Sequence, residues 1–118
     1  MADTDTTVRR GDIVIVDLDP TTEHEMQHTR PGVVVQNDIG NQHSHTTIVA
    51  PVTTTHRGYP FEVRVRAAAS DFVEDSSVRL DQLRTVDIDA RIRSVVGALS
   101  TATMREIDSA LKLELGLG

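Results

Sequence analysis

The chain has 118 residues, no cysteine and a formal net charge of −6, and it uses arginine almost to the exclusion of lysine. This length fits one domain with its own hydrophobic core, and the lack of cysteine excludes disulfide bonds and thiolate metal sites. The negative charge argues against a non-specific nucleic-acid binder, because lysine and arginine contacts to phosphates supply most of that affinity. The composition also fits a protein that works in concentrated salt, where charge repulsion is screened within about 3 Å at 1 M. Salt adaptation is therefore one hypothesis.

The chain divides into a short polar tail and one longer unit. Residues 1–8 are small, polar and rich in Thr and Asp, which predicts a disordered tail, and residues 9–118 are expected to form a single domain. No apolar run approaches the roughly 18 residues of a membrane span, and no basic-then-apolar leader is visible. We therefore expect a cytoplasmic protein without a membrane partner.

The first strand is predicted over Asp12–Leu18, where the four residues from Ile13 to Val16 are all β-branched. A nearly continuous apolar run of this kind is typical of a strand that is covered on both faces. Asp19 and Pro20 end the strand, and a polar loop then runs to Thr29.

A β-hairpin is predicted next, and it organises the rest of the chain. Two β-branched-rich runs, Val33–Gln36 and Ile48–Val52, flank a polar, glycine-containing connection from residue 37 to residue 47. Arg30 stands before the first run and Thr53 follows the second. Antiparallel pairing would therefore bring Arg30 and Thr53 to the same end of the sheet.

A second polar loop spans Thr54–Tyr59. In the segment that follows this loop, apolar and charged residues alternate. This alternation over Pro60–Arg66 predicts a strand with one face on the core. Glu62, Arg64 and Arg66 would share its outer face, where Arg64 and Arg66 either form half of a basic stripe or are solvated surface charges.

Three further elements complete the prediction up to the last segment of the chain. One helical turn is expected at Ala67–Ser70, and a strand is expected at Ser76–Leu83 that continues through Arg84–Asp87. Ile92–Leu99 is predicted as a shorter last strand, broken at Gly97.

The C-terminal segment changes to the period of a helix. Ser100 or Thr103 can cap its start, with Thr103 and Glu106 fitting a capping box, and Gly116 fits the position just past its end. An apolar stripe runs along it and is interpreted as core packing that could extend into a dimer contact. The members of the stripe are Met104, Ile107, Leu111 and Leu115. The predicted fold class is therefore mainly β, a compact antiparallel sheet or small barrel, with a C-terminal helix docked on it.

Several segments of the chain resemble the MazF/PemK family of toxin endoribonucleases. The match runs in register over roughly residues 9–117, and QNDIGN followed at this distance by DQLRTVD is its specific part. The matching segments are Asp12–Pro20, Arg30-Pro31, Gln36–Asn41, Val52-Thr53, Asp81–Asp87 and Leu115–Leu117. The resemblance implies an SH3-like barrel of the MazF/PemK (CcdB-like) toxin type in a homodimer. It also implies single-stranded RNA as substrate and a cognate antitoxin as partner.

Several kinds of catalytic site find little support in the sequence. The five histidines all fall in polar loops without a helical metal-binding spacing, so solvated side chains are the preferred interpretation. A serine elbow of the GxSxG type and a Walker-type phosphate loop are both absent. We therefore expect no metal and no cofactor.

The remaining candidates are a guanidinium, a hydroxyl and a carboxylate near the predicted strand ends. Arg30 could stabilise negative charge on a phosphate, and Thr53 could hold a non-bridging oxygen. The resemblance places an acidic residue five positions before the arginine, which Glu25 satisfies, and Glu25 could take the proton from a ribose 2′-OH. Attack of that hydroxyl on the adjacent phosphate would leave a 2′,3′-cyclic phosphate and a 5′-OH. The alternative is an ordinary surface arginine and an ordinary strand threonine.

Recognition of RNA is expected from side chains around the same site. Asn37 and Gln82 carry amides that could read base edges, and Gln27 and Arg84 complete the predicted RNA-binding set. An asparagine in a turn could equally satisfy backbone groups.

Two other functions stay open from the sequence. The related toxin fold also occurs in gyrase inhibitors, so a protein-binding toxin without nuclease activity is one alternative, and a peptide-binding barrel module is another. An antitoxin of the nuclease would lay a flexible segment across the loops Thr21–Arg30 and Thr54–Tyr59 and offer carboxylates to Arg30.

Overall fold

The computed structural model describes residues 7–18 and 29–118. Within these ranges the chain forms seven strands, three α-helices and one 3-10 turn at Ala67–Ala69. The strands are β1 (Asp12–Asp17), β2 (Thr29–Val34), β3 (Thr46–Thr53), β4 (Glu62–Val65), β5 (Ser76–Arg79), β6 (Arg84–Asp87) and β7 (Ile92–Ala98). The helices are α1 (Asp38–His43), α2 (Ile88–Arg91) and α3 (Thr101–Leu115). None of these helices is long and apolar enough to cross a membrane.

The strands form a barrel-like, antiparallel arrangement around the long strand β3. The order of the hydrogen-bonded strands is β4-β5-β3-β2-β1-β7, and β6 pairs with β3 off this path. Residues Thr46–Val49 of β3 pair with β6, whereas Val52 and Thr53 pair with β5. Since β3 passes from one partner to the other along its length, the sheet curls. The predicted class, mainly β with a C-terminal helix, is confirmed.

The core occupies both faces of the central strands. On β1, Ile13 belongs to one buried cluster and Val14 to the other, with exposures of 1% and 0%. Successive side chains of a strand point to opposite faces, so β1 is covered on both, as predicted. Val8, at the end of the predicted tail, is also buried.

The predicted hairpin is confirmed, but its connection is more ordered than a turn. β2 and β3 pair antiparallel, with Gly32 opposite Pro51 and Val34 opposite Val49. Between them lies α1, which begins after Asn37 and packs through its buried residue Asn41. A helix of six residues is too short to be stable from local propensity alone, which is why the sequence pattern did not predict it.

The structure corrects two predictions about the later strands. The strand expected over Ser76–Leu83 and onwards is two strands, because a turn follows Arg79 and β6 then pairs with the other half of β3. The strand expected to break at Gly97 instead continues to Ala98; Gly97 pairs with Ile13, and the register with β1 shifts between Gly97 and Val95. A Cβ at Gly97 would lie 2.5 Å from the Cβ of Asp71, so the glycine allows a close approach rather than a strand end.

Helix α3 begins after Ser100, whose hydroxyl accepts a hydrogen bond from the Thr103 backbone N–H. Thr103 therefore lies inside the helix, and the capping box that was expected to start there is wrong. Gly116 ends the helix in the left-handed conformation, with φ of 69°, as predicted. Ile107 is fully buried, whereas Leu115 is 55% exposed and does not join the core.

Candidate active site

The register of β2 and β3 brings the two predicted catalytic residues together. Gly32 pairs with Pro51, and continuing this register by two residues on each strand places Arg30 opposite Thr53. Both residues line the same groove, which has a volume of about 210 Å³. The prediction that they share one end of the sheet is confirmed, and their catalytic roles stay predictions.

The groove is polar and carries three guanidinium groups. Its lining residues are Arg30, Pro51, Val52, Thr53, Thr55, Arg57, Arg79 and Gln82. Gln82 was predicted to bind RNA and lies in the groove, but Arg57 and Arg79 were not among the predicted site residues. A concave surface rich in guanidinium groups and with an amide beside them suits a phosphate-linked ligand.

The Thr53 hydroxyl is held in a defined orientation. Its oxygen accepts a hydrogen bond of 3.2 Å from the Thr55 backbone N–H. Because a hydroxyl can donate while it accepts, its proton is available to an oxygen atom in the groove.

Arg79 forms a rigid wall of the groove through a bidentate ion pair. Its Nε and Nη2 atoms donate to the two oxygens of Asp81 at 2.9 and 2.8 Å. Its guanidinium carbon also lies 5.7 Å from the centre of the Tyr59 ring. The hydrogen bond from Arg79 holds the pKa of Asp81 below its usual value, and the same bond raises the pKa of Arg79. The positive charge of Arg79 is thus matched within the protein, and the pair fixes the turn that presents Gln82.

The loop over the groove is anchored on a buried carboxylate, Glu62, which the alternation of apolar and charged residues predicts on the solvent face of its strand. Glu62 is only 7% exposed, which corrects that assignment. Its oxygens accept hydrogen bonds from the Ser77 hydroxyl at 2.5 Å, the Tyr59 N–H at 3.1 Å and the Arg57 N–H at 3.3 Å, and the His56 Nδ1 lies 3.3 Å away. Burial by itself would raise the pKa of Glu62, but these donors outweigh burial and hold the pKa below its usual value. Alternation of residues in a strand cannot show that a loop folds back over the outer face.

Two predicted RNA-binding residues lie away from the groove. Asn37 is at the opposite end of the hairpin from Arg30, where its side chain accepts a hydrogen bond from the Gly40 N–H and caps α1. Arg84 donates to the Leu18 carbonyl at 2.6 Å, at the end of the first described segment. Their binding to RNA stays a prediction. Glu25 and Gln27 lie outside the described residues.

The described histidines give no metal centre. His43, His45 and His56 are described, and within residues 7–18 and 29–118 no group of three or more His, Asp or Glu side chains is arranged to hold a metal ion. His24 and His28 lie outside the described residues.

Comparisons with known proteins agree on one family. Residues 9–115 match the family described as PemK-like, MazF-like toxin of type II toxin-antitoxin system. The chain is 38% identical over 112 residues to Endoribonuclease MazF of Staphylococcus epidermidis, a match that covers 93% of this chain and 92% of that protein.

Solved structures show the same fold. One is an endoribonuclease in complex with its cognate antitoxin from a mycobacterial species, with a TM-score of 0.80 and 26% identity over 94% of this chain and 97% of that chain. Another is a MazE-MazF complex from Deinococcus radiodurans, with a TM-score of 0.78 and 27% identity over 97% of this chain and all of that one. The sequence match spans nearly the whole chain. The protein belongs to the PemK-like, MazF-like toxins of type II toxin-antitoxin systems.

Proposed function

We propose that this toxin is an endoribonuclease that cuts single-stranded RNA in the groove between Arg30 and Thr53. The observation that carries the proposal is that Arg30 and Thr53, on the paired strands β2 and β3, line one arginine-rich groove. The endoribonuclease named among its relatives, 38% identical over nearly the whole chain, supports the same activity. The proposed substrate is messenger RNA, and the proposed location of the protein is the cytoplasm.

The proposed reaction uses the ribose of the substrate as the nucleophile. The 2′-oxygen forms a bond to the adjacent phosphorus while the bond from phosphorus to the 5′-oxygen breaks, which leaves a 2′,3′-cyclic phosphate and a 5′-OH. Because the nucleophile is already positioned beside the phosphate, proximity supplies much of the rate. The step therefore does not require a metal ion to generate a hydroxide. The proton of the 2′-OH passes to a base, for which Glu25 is the proposed residue, and the departing 5′-oxygen takes a proton from solvent water.

Arg30 and Thr53 have distinct roles in this proposal. The planar guanidinium of Arg30 matches two phosphate oxygens and stabilises the negative charge that grows on them in the transition state. The Thr53 hydroxyl accepts from the Thr55 N–H and donates its proton to one non-bridging oxygen. Gln82, on the same groove, is the proposed contact to a base edge.

The proposed regulator is an antitoxin that covers the groove. Two related toxins have solved structures with their antitoxins, which supports a partner of this class. A flexible acidic segment would place carboxylates near Arg30 and Arg57, since opposite charges favour that encounter. The proposed assembly is a homodimer, for which exposed apolar residues at β7 and at the end of α3 are available. They are Val95, Val96, Leu113, Leu115 and Leu117.

Incubation of the purified protein with total RNA tests the proposed activity. Cleavage should persist in EDTA, because the base, the charge-stabilising group and the nucleophile all come from the protein and the RNA. The new ends should be 2′,3′-cyclic phosphate and 5′-OH, as read by their resistance to ligation and their labelling by polynucleotide kinase. Intact RNA, or cleavage that stops in EDTA and returns with a divalent cation, would overturn the proposed reaction.

A further inference from the structure

The loop Thr54–Tyr59 carries a second arginine of the groove, and hydrogen bonds to a buried carboxylate hold the backbone of this loop. Arg57 lines the groove with Arg30 and Thr53. Arg79 is matched by Asp81. Within residues 7–18 and 29–118, no carboxylate lies within ion-pair distance of Arg57 or Arg30, so in this part of the chain these two guanidinium groups have no carboxylate partner.

One carboxylate holds the backbone of that loop. Both oxygens of Glu62 accept from the Arg57 N–H at 3.3 Å, and one of them accepts from the Tyr59 N–H at 3.1 Å. Gly58, between these two donors, has a φ of 77°, which is the left-handed conformation that turns both N–H groups towards one acceptor. The side chain of Glu62 has no solvent exposure, so water does not compete for these bonds.

The neighbours of Glu62 complete the anchor. Ser77, which pairs with Thr53 in the register of β3 and β5, donates its single hydroxyl proton to Glu62. His56 Nδ1 lies 3.1 Å from the Ser77 oxygen. With the proton of Ser77 already used, that nitrogen must carry the hydrogen of the contact. The anchor therefore ties the loop to the strand that also positions Thr53.

From this geometry we infer that Glu62 is a positioning residue for RNA cleavage: its carboxylate fixes the loop so that the Arg57 guanidinium meets a phosphate of the bound strand. The inference rests on the proposed endoribonuclease function. Glu62 itself does not line the groove, so it acts through Arg57 and touches no substrate. The ligand of Arg57 is a backbone phosphate flanking the scissile one, which Arg30 contacts.

A double-mutant cycle tests this inference on the full-length protein, with an RNA that the wild type cuts. Arg57→Ala should raise KM on the order of tenfold, as expected for loss of one charge-assisted hydrogen bond to phosphate. It should also reduce the slope of log KM against log salt concentration by about 0.7, the value for one phosphate contact on a single strand. Glu62→Gln keeps the shape of the side chain but removes the charge and replaces an acceptor by a donor. It should reduce the salt slope in the same direction, and it should have little further effect when Arg57 is already alanine.

Controls separate positioning from folding. Glu74→Gln makes the same chemical change at an exposed position outside the groove and should leave KM and the salt slope unchanged. Thermal unfolding of each variant gives the folded fraction at the assay temperature; a partly unfolded enzyme loses activity without a change of salt slope. If Glu62→Gln fails to fold, Gly58→Ala replaces it, because a Cβ there meets no atom within 4 Å and strains only the left-handed turn.

The outcomes distinguish the inference from the function on which it rests. An inactive wild type would overturn the proposed function and the inference together. An active wild type overturns the inference alone if Arg57→Ala leaves KM and the salt slope unchanged. The inference is also overturned if Glu62→Gln, or Gly58→Ala in its place, changes KM and the salt slope as much in the Arg57→Ala background as in the wild type. Coupled effects and a shared change of salt slope would support it.

Discussion

Arg30 is exposed at the start of β2, and its side chain belongs to neither of the two buried clusters of the described residues. Arg30→Ala should therefore fold normally and lose roughly 100-fold or more in kcat, the usual cost of removing one preorganised charge-stabilising donor. Arg30→Lys should recover little, because a point charge does not reproduce the bidentate fork. Single-turnover cleavage with a matched unfolding curve measures both. Normal cleavage by a folded Arg30→Ala protein would remove this residue from the site.

Substitutions of Thr53 test the role of its hydroxyl separately from the role of its β-branched shape in the strand. Thr53→Val keeps the β-branched shape but removes both the donor to phosphate and the acceptor of the Thr55 N–H. We expect a loss of activity on the order of tenfold or more, with partial recovery in Thr53→Ser. Cleavage rates of the two variants at saturating RNA provide the comparison. Equal rates for Thr53→Val and the wild type would show that the hydroxyl has no part in the reaction.

At the scale of elements, the loop anchor predicts a pH dependence of stability. The folded pKa of Glu62 is lower than its ordinary value of 4.5, so the charged form stabilises the fold above that pH. This contribution is lost as the pH falls through the lower folded value. The free energy of unfolding of the wild type should therefore exceed that of Glu62→Gln most at neutral pH, and the gap should narrow below about pH 4.5. Urea unfolding at a series of pH values measures the gap; a constant gap would mean that the charge of Glu62 does not contribute.

The sequence predicted well those elements in which the spacing of apolar residues matches the faces that are buried. The apolar runs of β1, β2 and β3 predicted the hairpin and the meeting of Arg30 with Thr53, and the three-and-four spacing predicted α3. The sequence did not predict the turn between β5 and β6. Leu80 lies in this turn and is fully buried, and as an apolar residue it continues the alternating pattern of a strand. Glu62 and Arg57 were missed for a related reason. Their roles arise from a loop that folds back onto a strand. The periodic pattern of residues within one strand does not predict a contact with a separate loop.

At the scale of the whole molecule, a net charge of −6 coexists with an arginine-rich groove. Salt screens the repulsion among surface carboxylates, and it also weakens phosphate contacts. If the protein is salt-adapted, the free energy of unfolding should hold or rise in molar KCl, and kcat at saturating RNA should persist. Unfolding curves and cleavage rates across a KCl series test this hypothesis. Unfolding at molar KCl, with full activity in dilute buffer, would exclude salt adaptation.

The proposed nucleophile in the groove of Arg30 and Thr53 is the ribose 2′-OH of the substrate. The most direct test of this proposal is a pair of RNA oligonucleotides that differ only by a single 2′-deoxyribose at the scissile position, cleaved by the wild-type protein. The deoxy oligonucleotide should bind with nearly the same affinity and remain uncut, and a deoxyribose placed two nucleotides away should be cut at the normal rate. Cleavage of the scissile deoxy substrate at a rate close to that of the all-ribose strand would show that the 2′-OH is not the nucleophile.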